Sequence, residues 1–207
     1  ATGVFLLIAH FSFQPSSGST VLARGKTGDS VDSDKIISEP FVIAGGRSYK
    51  RIKASPELNP VAGSDYLVFI WFKLSRPIHD GDHALILRKF EARARNRPGY
   101  AISLEGAPDG VRPRIFWNNS EGHGRWFTFA SRNVRLGEWY ILALSFSKDT
   151  FLAAHLSRTG DDATSENLLL GGHRVEPIVI ASSNADLVVG AYGTSRFRGE
   201  IGPFGIL

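Results

Sequence analysis

Apolar positions recur with a period of two along most of the chain, the spacing of strands and not of helices. Tyr66–Leu74 is apolar at nearly every position and rich in aromatic and β-branched residues, which predicts a strand buried on both faces. Ala84–Arg88 and Tyr100–Leu104 read as further strands. Arg114–Trp117 and Trp126–Phe129 flank a polar stretch, 118–124, that holds two glycines, and so predict a hairpin with a longer loop. Trp139–Phe146 and Thr150–Leu156 form the next pair, joined by Ser147–Asp149, and Ile178–Ile180, Leu187–Gly190 and Gly202–Leu207 complete the series. Gly and Pro fill the gaps between them. Only Phe90–Arg95, ended by Pro98, and a turn near Ser55–Leu58 read as helical. Many short strands at regular spacing imply a sandwich or a barrel. Without a linker, a low-complexity tract or an internal repeat, residues 1–207 read as one all-β domain.

Length and composition fit that reading. A chain of 207 residues hides about 70% of its unfolded surface, enough to dispense with disulfides, and it has no Cys. Its first apolar run, Val4–Ala9, is too short to span a bilayer and lacks the basic start and cleavage site of a signal peptide. The net charge of +4 is uneven: 47–135 holds 16 Lys/Arg against 8 Asp/Glu, and the rest of the chain 8 against 12. A basic middle of this kind draws anionic partners such as acidic polysaccharide.

Four stretches resemble, in order, the laminin G-like domains of the concanavalin A-like superfamily. Phe41–Tyr49 with Ile52 and Ser55–Leu58 is similar to the family's opening segment, and Tyr66–Lys73 to its Trp-containing strand. Leu136-Gly-Glu-Trp139, leading into Tyr140–Phe146, is similar to its Gly-x-Trp strand. Leu187–Tyr192, then Phe197–Ile201 and Phe204–Ile206, resemble its closing pair. The resemblance covers about residues 40–207 and implies a two-sheet antiparallel jelly-roll β-sandwich. It implies a binding domain of a larger secreted, extracellular or periplasmic protein, with a polysaccharide or a protein as partner. Phe11-Ser-Phe13 would then be a first strand beside the last. Trp71 and Trp139 are expected in the core, and Gly190 and Gly199 at close approaches or bulges.

The superfamily includes hydrolases and lyases, but the residues do not point to catalysis. Glycoside hydrolysis needs two facing carboxylates, and the nine Glu stand singly, with no Glu-x-Asp-x-x-Glu strand. Tyr100, His123 and Arg125 could serve a lyase, but they form no lyase motif. No Gly-x-Ser-x-Gly elbow and no phosphate loop occurs. His79-Asp-Gly-Asp-His83 could hold a metal and reads better as an Asp-Gly turn. Calcium, which the family often binds, would find oxygen ligands at Asp29, Asp32 and Asp34, at Asp161 and Asp162, or at Asp80 and Asp82. No ligand set matches a known loop, so no cofactor is required and Ca²⁺ is only admitted.

A binding role has two candidate sites. Sugar sites on sandwiches pair aromatic faces with amides and Arg forks. Trp117, Asn118, Asn119, His123, Arg125 and Trp126 supply those groups around one turn. Alternation places Ile115 and Trp117 on one face of their strand and Arg114 and Phe116 on the other. If Phe127 and Phe129 face the core, Trp126 faces out. The second candidate is the basic run 88–97, with Arg88, Arg93, Arg95 and Arg97. Together they suggest a non-catalytic module for an acidic or sulfated glycan. A structural or adhesive protein-binding domain is the alternative, and a hydrolase or lyase of the same fold a second. Nucleic acid is disfavoured, because no recognition motif is present. Asn118-Asn-Ser120 is also a glycosylation sequon, which would close that turn to a ligand.

Overall fold

The computed structural model describes residues 36–37, 41–43, 49–60, 66–90, 98–118, 124–129, 134–146, 151–159, 168–174, 182–190 and 197–206. Their strands are β1 (Ile36–Ile37), β2 (Phe41–Ile43), β3 (Tyr49–Ile52), β4 (Tyr66–Leu74), β5 (His83–Phe90), β6 (Gly99–Ala107) and β7 (Gly110–Asn118). They continue with β8 (Gly124–Thr128), β9 (Trp139–Phe146), β10 (Phe151–Thr159), β11 (Leu168–Arg174), β12 (Leu187–Gly190) and β13 (Gly199–Ile206). One 3₁₀ turn, Pro56–Leu58, stands where the Ser55–Leu58 turn is predicted. The expected helical start at Phe90 is instead the end of β5, and residues 91–95 lie outside the described ones.

The strands form two antiparallel sheets. The first runs β1-β13-β4-β9-β10-β11, with β2 also on β13; the second runs β3-β12-β5-β6-β7-β8. This is the two-sheet sandwich that the resemblance implies, and one of the two architectures, sandwich or barrel, that the strand periodicity allows. The last strand lies beside β1, β2 and β4, so Ile36–Ile37 and Phe41–Ile43 are its described chain-start partners. Phe11–Phe13 falls outside the described residues, as does Ile178–Ile180, whereas Leu168–Arg174 is a strand the periodicity did not suggest.

Alternation decides what each sheet buries. From the first sheet Val68, Ile70, Phe72, Leu142, Leu144, Ile201 and Phe204 enter the central core. From the second come Ile86, Leu87, Tyr100, Ile102, Ile115, Trp117 and Val189. The other face of β4 is buried too. Leu67, Phe69 and Trp71 form a separate cluster with Ile141 and Ala143, against which Trp139 packs. Trp71 is thus buried in the core as expected, in the cluster on the far face of the first sheet, with Trp139 packed against it. There Lys73 pairs with Glu200 and lies 5.2 Å from the Trp139 ring centre.

Two irregularities place the second sheet. The β5/β6 register shifts between Leu85 and Leu87, so Ile86 and Leu87 both enter the core and the alternation resumes with Arg88 outward. At Gly99, φ is +120° and an added Cβ would lie 1.8 Å from the Lys89 carbonyl oxygen, so only glycine lets β5 and β6 meet there. Gly199, at φ +157°, approaches the Lys73 carbonyl in the same way.

Candidate functional site

The outward positions of the second sheet form a lattice that register alone assembles. Cross-strand partners share a face. One row therefore reads Arg51 (β3), Val188 (β12), Arg88 (β5), Ala101 (β6), Phe116 (β7) and Trp126 (β8). The next reads Leu85, Ser103, Arg114 and Thr128, and the one beyond it His83, Glu105 and Arg112. Phe90, Ala101 and Phe116 make a small buried cluster on this face, with Leu85 and Trp126 packed against it.

Arg114 is the centre of the polar part. Its guanidinium carbon lies 4.4 Å from the Trp126 ring centre. Its Nη1 stands 3.1 Å from both ring nitrogens of His83, so it rests against the imidazole and does not follow a single lone pair. Glu105 Oε1 is 3.7 Å away, too long for a hydrogen bond, and Glu105 Oε2 accepts a 2.7 Å bond from the Thr128 hydroxyl. The guanidinium thus lies over the Trp126 ring with its Nη1 against His83, and Glu105 is a loose ion-pair partner whose other oxygen is taken by Thr128. The buried Arg114 Nε has no partner among the described residues. Such a group offers a planar fork to an incoming acid or hydroxyl, beside an aromatic face for stacking.

At the edge of this region Arg112 Nη2 donates a 2.7 Å bond to Asp109, which holds the Asp109 carboxyl below its usual value. Among the described residues no group of three or more His, Asp or Glu could hold a metal ion. His79–Asp82 is a tight turn, with Asp82 N donating 2.9 Å to the His79 carbonyl and Gly81 at φ +77°.

The sequence-derived candidates divide. Trp126 is half-buried on the outer face, as it must be with Phe127 and Phe129 inward. Trp117 points the other way: it is 3% exposed, in the central core, with its ring centre 5.8 Å from that of Phe127. The expectation that it contacts a ligand is therefore corrected, since no face of the ring is open. Asn118 sits on the outer side but is buried, and its Oδ1 has no partner among the described residues. Arg125 is a backbone position in β8 opposite Trp117, and its side chain is outside the described set. Asn119, His123, Arg93, Arg95 and Arg97 also lie outside the described residues, as do Asp29, Asp32, Asp34, Asp161 and Asp162. Arg88 is half-buried on the outer face, with its guanidinium carbon 5.8 Å from the Phe90 ring centre. Tyr100, weighed for a lyase, is fully buried in the core. Glu105, His83, Thr128 and Arg114 were not singled out together because they stand on four different strands. Their only signal is alternation combined with register.

No protein-family model matches the chain, and no curated protein sequence matches it. Its fold is similar to solved structures. The binding domain of botulinum neurotoxin serotype G superposes with a TM-score of 0.54 at 13% identity, over 84% of this chain and 41% of that one. Botulinum neurotoxin type C, whose cell entry depends on interaction with two ganglioside molecules, gives 0.54 at 9% identity, over 83% of this chain and 41% of that one. The CBM40 of a Ruminococcus gnavus IT-sialidase, bound to α2,3 sialyllactose, gives 0.52 at 13%, over 81% of this chain and 89% of that one. The chain thus spans about two fifths of the toxin structures and most of the sialidase module. At such identity these likenesses bear on the fold alone, a two-sheet antiparallel jelly-roll β-sandwich.

Proposed function

We propose that this domain is a non-catalytic glycan-binding module whose site is the outer face of the second sheet, centred on Arg114 and Trp126. The observation that carries the reading is the guanidinium held 4.4 Å from the Trp126 ring centre, with His83, Glu105 and Thr128 around it. The ring stacks on the apolar face of a sugar, and the Arg fork takes a carboxylate or sulfate. The sialidase module of the same fold holds a sialylated sugar, and the toxin a ganglioside, which supports a glycan as the class of ligand. Four stretches similar to laminin G-like domains support a place within a larger extracellular protein.

Glu105 is the one carboxylate among the outward positions of β5 to β8, which supports binding over hydrolysis, since hydrolysis requires a facing pair. Calcium is not required by this reading. The test is a glycan array carrying carboxylated, sulfated and neutral glycans, probed with the domain and with Trp126→Ala and Arg114→Gln. Acidic glycans are expected to bind, and each variant to bind at least about tenfold more weakly, the loss of one charge-assisted or stacked contact. Undiminished binding by both variants, or no glycan bound at all, would overturn the proposal.

A further inference from the structure

The two oxygens of Glu105 are in different situations. Oε2 accepts the 2.7 Å bond from the Thr128 hydroxyl, which fixes the plane of the carboxylate. Oε1 stands 3.7 Å from Arg114 Nη1 and 3.9 Å from His83 Nδ1, both beyond hydrogen-bond length. It therefore keeps an acceptor position that no described residue fills with a short bond. The side chains of Arg114 and Glu105 are 18% and 26% exposed, so both are within reach of a ligand stacked on Trp126. The charges at this end of the sheet also balance. Glu105 lies between His83 and Arg112 in its cross-strand row, and Arg112 is bonded to Asp109. Two guanidiniums, Arg112 and Arg114, thus meet two carboxylates, Glu105 and Asp109. One incoming acid can take over the loose Glu105 contact with Arg114. A second acid would lie against Glu105 with no further guanidinium to offset it.

We infer that Glu105 sets the specificity of this site, selecting a uronic acid whose neighbouring hydroxyl is free. The sugar's carboxylate docks on the Arg114 fork, and the hydroxyl on the next ring carbon donates to Glu105 Oε1. The inference rests on the glycan-binding reading above. Donor and acceptor stand 3.7 Å apart, so two adjacent oxygens of one sugar reach both with bonds of about 2.9 Å. Of the two acids that an Arg fork accommodates, this pairing favours the carboxylate. A sulfate ester consumes a hydroxyl donor and sets acceptors where Glu105 needs a hydrogen. Thr128 does not touch the sugar in this arrangement. It is a positioning residue that acts through Glu105.

The experiment measures binding of the whole chain to four matched oligosaccharides. One ends in glucuronic acid. Its 4-O-methyl ether keeps the acid and loses the donor, its 3-O-sulfate adds a second acid, and the glucose-ended parent is neutral. The chain is expected to prefer the glucuronic acid to each of the others by about tenfold, the scale of one charge-assisted contact. Glu105→Ala removes the acceptor and should bring the methyl ether level with the free acid. Glu105→Gln removes the charge and should raise affinity for the 3-O-sulfate about tenfold. Thr128→Val should narrow the preference for the free hydroxyl while the acid still binds. These are changes of ranking, which a merely structural Glu105 would not produce, and thermal unfolding confirms that each variant folds. A ranking left unchanged by both Glu105 variants, or tighter binding of the sulfate than of the uronic acid, with the Trp126→Ala loss retained, would overturn the role of Glu105 and leave the Arg114 site standing. Binding of none of the four would overturn the uronic acid, and the glycan reading falls with it if the wider glycan array is silent too.

Discussion

The hydroxyls of Tyr66 and Tyr100 lie 3.0 Å apart, although the first belongs to β4 of one sheet and the second to β6 of the other. Both also reach the Leu58 carbonyl, at 2.8 and 3.1 Å. Two phenols, one from each layer, thus tie the 3₁₀ turn into the interior. Tyr66→Phe and Tyr100→Phe are each expected to cost about 1–3 kcal/mol, because each leaves a polar partner under-satisfied in a buried site. The double variant should cost less than the sum, since the two hydroxyls share partners. Urea unfolding of the three variants checks this.

The same pair sets an alkaline limit. Burial pushes both phenols above the usual 10.0, and Tyr66 raises Tyr100 further. Above the ordinary value the unfolded chain loses these protons and the folded chain keeps them. The stabilisation is complete below pH 10 and falls as pH rises through the folded values. Stability measured by denaturant titration should decline from about that pH upward, and Tyr66→Phe with Tyr100→Phe should remove part of the slope.

Lys89 is fully buried, and its ammonium donates to the Ser183 carbonyl at 2.7 Å and the Ala185 carbonyl at 2.9 Å. Lys89→Met is expected to cost about 1–3 kcal/mol and to speed amide exchange at 183–187. Burial lowers this ammonium below the usual 10.5, and Asp186 offsets part of that. Approaching pH 10.5, the unfolded chain holds more protons there, so the Lys89 contribution to stability grows with pH. That rising component should be missing from Lys89→Met.

Gly99→Ala should cost more than about 3 kcal/mol, since it combines a forbidden φ with a backbone collision. At Gly81 and Gly137, where φ is +77° and +76°, a Cβ meets open space, so Ala should cost only about 1–2 kcal/mol. Paired denaturation curves separate strain alone from strain with collision.

The two tryptophans of the β7–β8 hairpin should separate by assay. Trp117→Ala is expected to destabilise by about 3–5 kcal/mol, because it empties a core site. Trp126→Ala should cost less stability and show its main effect in glycan affinity.

Much of the fold was legible in short-range pattern. The unbroken apolar run of β4 announced a strand buried on both faces, and it is one. It did not announce that the second face serves a different cluster, because hydrophobicity carries no address. Trp71, expected in the core, is buried in that second cluster, with Trp139 packed against it. On β8 alternation assigned Trp126 correctly once Phe127 and Phe129 were inward. Trp117, one strand away, was grouped with it by closeness in sequence, although strand parity turns it to the opposite side. The Arg114–Glu105–His83–Thr128 cluster draws on four strands, and only the register brings those residues together.

The extra residue at Ile86 is one that the outer face does not register. Without it Leu87 would follow Leu85 directly, still opposite Ile102, and Arg88 and Phe90 would keep their outward places. Loss of that single residue would therefore be felt as missing volume in the core, while the order of charge and ring on the surface of β5 stayed as it is.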